Sequence, residues 1–139
     1  MKSFLASTGS STQRQRDAKR TVRITAFLIG RGRETWQEGR VVVPNECDTI
    51  ADGLASLRPL EANVIAIREL VDDVRLVSEQ EMLGAIRILL LDEHILAEAS
   101  GAAATAAFLQ NPSAYADANI VLLVSGANIS PEVLRRAIT

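Results

Sequence analysis

From Ala99 to Ala107 the chain reads Ala-Ser-Gly-Ala-Ala-Ala-Thr-Ala-Ala, with no side chain larger than threonine. Alanine is the strongest helix former, and Asn111-Pro112 stops the run, so the segment predicts a helix from Ser100-Gly101 to about Gln110. A helix that is small on every side has no polar face to give to water. It can pack very close to a sheet, or close to something lying on the sheet. The rest of the chain would then supply that sheet.

The flanking patterns do so. Thr21–Ile29 is rich in β-branched residues and ends at Gly30, which predicts a strand. Arg40–Val43 reads as a short strand stopped by Pro44. Val74–Val77, Ile95–Ala99 and Asn119–Ser125 read as further strands. The last is nearly continuous in apolar residues, as expected where helices cover both faces of a sheet. Between them lie helical signals. Gln13–Arg20 is polar and short. Asp48 and Thr49 are N-cap residues for a helix over Ile50–Leu57. Val64, Ile67, Leu70 and Val71 form a stripe on Ala62–Val71. Ser78-Glu79-Gln80-Glu81 is a capping box opening a helix to about Leu91. Ser130 followed by Pro131 starts the final helix. Strands and helices alternate with short connections. This predicts an α/β layered domain with a mostly parallel sheet flanked by helices.

Composition narrows the function. At 139 residues the chain makes one compact domain, 47% apolar and 23% charged with net charge −2. No run of apolar residues is long enough to span a membrane. Met1–Gln13 lacks the apolar stretch of a secretory signal, so the expected location is cytoplasmic. Basic residues cluster between Arg14 and Arg40. Near-neutral charge and few aromatics argue against nucleic acid, and a solvated face is the simpler reading of that cluster. Cys47 is the single cysteine, which excludes an internal disulfide framework and a cysteine-rich zinc site.

Few residues are placed for chemistry. His94, the single histidine, sits in Asp92-Glu93-His94 at a helix end, where it complements the helix dipole. Cys47 has no histidine beside it. Asp72-Asp73 lies at a helix-to-strand turn, where paired acids are usually solvated. Glu98 interrupts an apolar strand directly before a helix start. Carboxylates there either face a ligand at the strand end or cap the helix, and the pattern leaves both open. Ser125-Gly126-Ala127-Asn128 ends another apolar strand with small residues that let a flat ligand or a phosphate approach.

Five motifs occur in order: Thr49-Ile50-Ala51-Asp52-Gly53-Leu54, Ile67–Val74, Ser78-Glu79-Gln80-Glu81-Met82, Glu98-Ala99-Ser100-Gly101-Ala102-Ala103 and Ser125-Gly126-Ala127-Asn128. Together they resemble the C-terminal part of the pyridoxal-phosphate-dependent threonine/serine dehydratases, the fold-type-II enzymes that include serine racemase. The likeness covers residues 34–139. Residues 1–33 resemble a second piece of the family, its asparagine loop, in Ala6-Ser7-Thr8-Gly9-Ser10-Ser11-Thr12-Gln13. Ser10 stands where that family has the asparagine that holds the cofactor's phenolic oxygen.

The resemblance implies pyridoxal phosphate as cofactor and part of the large domain of these enzymes as fold. It implies that Ser125 meets the ring nitrogen, and that Gly126, Glu98, Gly101 and Gly53 line the pocket, with Asn128 bracing the turn. A neutral serine hydroxyl leaves the ring nitrogen unprotonated, which suits β-elimination. The family also needs a Schiff-base lysine in a Ser-x-Lys-x-Arg-Gly setting and a glycine-rich phosphate loop. This chain has only Lys2 and Lys19, neither in that setting, and no Gly-Gly pair. It therefore reads as a truncated, internally shortened dehydratase-like chain, inactive alone. The alternative is a non-catalytic binding or oligomerisation module derived from the same family. Strands apolar on both faces predict a homo-oligomer, a dimer, or a complementing chain that covers them.

Overall fold

A computed structural model of the chain describes residues 24–26, 37–42, 48–55 and 60–139. Strand β1 (Ile24–Ala26) pairs in parallel with β2 (Asp73–Arg75), Ile24 opposite Asp73 and Ala26 opposite Arg75. Helix α1 (Glu61–Leu70) lies in the connection between them, as a parallel pair requires. Then follow α2 (Glu79–Leu91), α3 (Ala99–Leu109), a 3-10 turn at Pro112–Tyr115 and α4 (Pro131–Ile138). No described helix is long and apolar enough to cross a membrane.

Helix α2 starts where its capping box stands. The Ser78 hydroxyl accepts from the Glu81 N–H at 3.3 Å, and the Glu81 carboxylate accepts from the Ser78 N–H at 2.6 Å. The Gln110 amide, at the end of α3, donates to the other Glu81 oxygen at 3.0 Å and to the Leu76 carbonyl at 2.9 Å. The Ser78 N–H, then the Ser78 hydroxyl and Gln110, hold the Glu81 carboxyl below the ordinary carboxylate range. A lowered folded-state pKa means the stabilisation is present above the ordinary value and is lost as pH falls through the lowered one. We expect Ser78→Ala to cost about 1 kcal/mol at neutral pH. The deficit should shrink on acidification below about pH 4, as Glu81 protonates in both chains. Urea titrations at both pH values measure it. A deficit independent of pH would contradict the assignment.

The buried face of α2 carries Met82, Leu83, Ala85, Ile86 and Leu89. It packs on α3 and, less extensively, on α4. Helix α3 is buried nearly all round, at Ala99, Gly101, Ala102, Ala103, Thr105, Ala106 and Ala107, and touches β1 as well. The close packing expected of an alanine-rich helix is thus realised against a helix and a strand together. Tyr115 closes the far end of α3, its ring 5.9 Å from that of Phe108.

The Thr105 hydroxyl is buried in this packing with no hydrogen-bond partner among the described residues. Thr105→Val removes an unsatisfied polar group at nearly constant shape, and should stabilise the chain by about 1 kcal/mol. A raised urea midpoint at unchanged slope is the expected result, and a lowered midpoint would refute it.

Several expected elements differ. The helix over Ile50–Leu57 is, within the described residues, one 3-10 turn at Asp52–Leu54. Neither Asp48 nor Thr49 caps it: the N-cap is Ala51, with no side-chain capping bond, and the Thr49 hydroxyl accepts from the Ala51 N–H at 3.2 Å in a local turn before it. Gly53 sits where a longer helix would need a better helix former. Val41 and Val42 form no strand. Ile95–Ala97 is irregular, and Ala99 already belongs to α3. Asn119–Ser125 has no ladder partner among the described residues, and from Val121 to Ser125 its exposure alternates. Val121 is 87% and Leu123 72% exposed, while Leu122 and Val124 turn inward and Val124 packs on the core. The apolar run therefore has one covered face rather than two. The helix expected at Gln13–Arg20, together with Ser10, Cys47 and most of the basic cluster, lies outside the described residues.

Candidate functional site

Three chain segments meet at the N-terminus of α3: the irregular run into Glu98, the turn Ser125–Asn128 before α4, and the 3-10 turn that holds Gly53. They meet because their residues are small. A Cβ on Gly101 would lie 2.7 Å from the Gly126 carbonyl oxygen and 3.1 Å from its nitrogen. One on Gly53 would lie 2.7 Å from the Ser100 hydroxyl. One on Gly126 would collide with the Glu98 carboxylate. Glycine at these positions lets the 125–128 turn lie against the backbone of α3 and lets the Ser100 and Glu98 side chains fill the space beside Gly53 and Gly126.

Glu98 is the polar centre of this junction. Its N–H donates to the Gly126 carbonyl at 3.0 Å. Its carboxylate accepts from the Asn128 N–H at 2.9 Å and from the Ser100 hydroxyl at 3.3 Å. Glu98 occupies the N-cap position of α3, yet its side chain makes no capping bond. Of the two readings open from sequence, the cap is therefore corrected. The carboxylate is drawn away from its own helix because the 125–128 turn offers a backbone donor across the junction. Its charge still lies beside the positive end of α3.

Gly53, Glu98, Gly101 and Gly126 are thus brought together. Ser125 adjoins them in sequence and is exposed. Asn128 joins through its backbone. Ala127 is exposed, and its φ is not positive. Sequence reasoning misses Ser100. Its one signal is the Ser-Gly pair opening an otherwise apolar helix.

The other candidates stand apart. His94 is exposed, at φ 58°, just after α2, where the following Ile95 N–H returns to the Leu89 carbonyl at 2.7 Å. Asp73 pairs with Arg75 at 3.1 Å, and Asp72 is exposed.

The profile of the family described as "Pyridoxal-phosphate dependent enzyme" matches residues 19–126. The chain is 36% identical over 98 residues to an L-threonine ammonia-lyase of Geobacter sulfurreducens, covering 70% of this chain and 24% of that protein. It is 39% identical over 84 residues to a catabolic L-threonine dehydratase of Staphylococcus aureus, covering 58% of this chain and 24% of that one. Among solved structures, the processed form of threonine deaminase isoform 2 from Solanum lycopersicum superposes with a TM-score of 0.72 at 28% identity, over 82% of this chain and 34% of that one. The chain spans about a quarter of the length of the curated relatives it matches.

Proposed function

The chain belongs to the pyridoxal-phosphate dependent enzyme family, and from that premise we propose that it forms one wall of a cofactor pocket in a threonine/serine dehydratase-like protein. The observation that carries this reading is the convergence of Gly53, Glu98, Gly101 and Gly126 at one junction, with Ser125 exposed beside it. The junction fits a flat ring as a wall. Gly101 and Gly126 press two backbones together with no side chain between, and Ser125, exposed and next to Gly126 in the chain, is the residue proposed to present a hydroxyl there.

In this reading the Ser125 hydroxyl donates to the ring nitrogen, and Gly126, Glu98, Gly101 and Gly53 line the ring. Bound pyridoxal phosphate supplies an electron sink for charge developing at an amino acid's α-carbon. Ser125 keeps its own proton and so leaves the ring nitrogen neutral. Ser10 belongs to the same proposed set. The 139 residues do not by themselves catalyse deamination, because Lys2 and Lys19 lie outside the family's lysine setting and no glycine-rich loop is available for the phosphate.

Mixing the purified chain with pyridoxal phosphate tests this. Binding should be reversible on dialysis, borohydride should leave no covalent adduct by mass spectrometry, and threonine should release no 2-oxobutyrate. A borohydride-stable adduct with 2-oxobutyrate release would overturn the inactivity. No binding at all would overturn the wall.

One observation favours an assembly role beside this. Val121 and Leu123 are exposed, on an extended segment whose backbone pairs with no strand among the described residues. Such an edge is a template for another strand. A second copy of this chain is the proposed occupant, because a two-fold pairing closes on itself. Light scattering should give a dimer mass that Leu123→Lys lowers to the monomer's. A wild-type monomer at all concentrations would remove this reading.

A further inference from the structure

We infer that Glu98 is a positioning residue, which clamps the Ser125–Asn128 turn at two points and thereby fixes where the Ser125 hydroxyl is presented. The purpose of the clamp rests on the cofactor wall proposed above. The clamp itself rests on geometry alone.

The two points lie on either side of Ala127. The Glu98 N–H holds the Gly126 carbonyl at 3.0 Å, and the Glu98 carboxylate holds the Asn128 N–H at 2.9 Å. One residue thus uses both its backbone and its side chain on a three-residue stretch. The Ile129 N–H bonds the Ala127 carbonyl at 2.9 Å and tightens the turn further. The Ser100 hydroxyl, 3.3 Å from the other carboxylate oxygen, limits rotation of the carboxylate. Gly126 has no room for a Cβ because the carboxylate is there. Ser125 immediately precedes the clamped stretch, and it hangs from an extended run with no ladder of its own among the described residues. The Glu98 bonds are therefore what fix the C-terminal end of that run to α3.

A hydrogen bond to a charged acceptor carries enough free energy to change local opening and binding by roughly tenfold. The test uses the full chain labelled with nitrogen-15, as wild type, Glu98→Gln, Glu98→Ala and Glu98→Asp. Amide exchange at Asn128 should be protected in wild type and in Glu98→Gln, whose side-chain oxygen still accepts. It should accelerate by about tenfold in Glu98→Ala and in Glu98→Asp, which keeps the charge but is too short to reach. Unchanged protection at Ala102–Ala107 marks each variant as folded, and Glu98→Asp decides the question if the alanine variant does not fold. Unchanged Asn128 exchange in Glu98→Asp overturns the clamp.

The second arm titrates pyridoxal phosphate itself. Glu98→Ala and Ser125→Ala should each weaken binding by about tenfold, and the double variant should be no weaker than either, since one residue acts through the other. Glu98→Gln should restore binding. Additive losses overturn the positioning role. A wild-type chain that binds no pyridoxal phosphate refutes the proposed function instead, and the exchange arm still decides the clamp.

Discussion

An Ile86→Ala chain is expected to lose about 2–5 kcal/mol of stability, a large share of the ~5–15 kcal/mol that holds a domain of this size together. Ile86 is fully buried on α2, where α2 meets α3 and α4. The cluster it belongs to is mostly alanine: Ala51, Ala85, Ala97, Ala99 and further alanines of α3 and α4 are among its members. Short side chains cannot reach into the hole that Ile86 would leave, so the cavity stays open and the loss falls toward the upper part of that range. Met82 is the other large, fully buried side chain of α2 and should behave alike. Urea unfolding measures the effect. A loss under about 1 kcal/mol would mean that α3 can slide inward to close the gap.

Gly101→Ala should destabilise by about 1–3 kcal/mol, and Gly101→Val by more, because the added carbon meets backbone that cannot rotate away. Its Cβ would sit 2.7 Å from the Gly126 carbonyl oxygen. To make room, the 125–128 turn must leave α3, and both Glu98 bonds to that turn go with it. Gly84 provides the internal control. It lies inside α2, and a Cβ added there would meet nothing within 4 Å. Gly84→Ala should therefore stabilise by about 0.5–1 kcal/mol, as expected for glycine replaced in a helix interior. Opposite signs at the two glycines, read from thermal melts, are the expected result. Equal signs would refute the close approach at Gly101.

What is legible in the sequence follows the range of the interactions. The capping box at Ser78–Glu81 and the Ser130-Pro131 start of α4 are local, and both stand where the pattern puts them. The alanine run fixes α3 because no other structure suits it. Strands depend on partners distant in the chain, and there the pattern is less informative. Thr21–Ile29 and Val74–Val77 both hold strand residues, and among the described residues Ile24–Ala26 pairs in parallel with Asp73–Arg75, one residue earlier than the second pattern begins. Asn119–Ser125 reads as a strand covered on both faces, yet hydrophobicity alone does not state that a cover is present. The junction shows the same division. Gly53, Glu98, Gly101 and Gly126 stand out through family likeness, whereas the bond from Asn128 to Glu98 spans 30 residues and leaves no local trace. Ser100 escapes notice for the same reason, since a hydroxyl opening a helix is ordinary until its partner is known.

The alanines of α3 also determine how this molecule moves. Alanine has no rotamers, so the buried face of α3 surrenders almost no side-chain entropy on folding and retains none to exchange afterwards. A core of leucines can absorb a disturbance by hopping between χ angles. Here α3 itself offers no such outlet, so a push at the Glu98 end passes along it as a rigid body to the longer side chains of α2. Motion at the junction is thus tied to motion of α3 against α2, and the two should share one timescale.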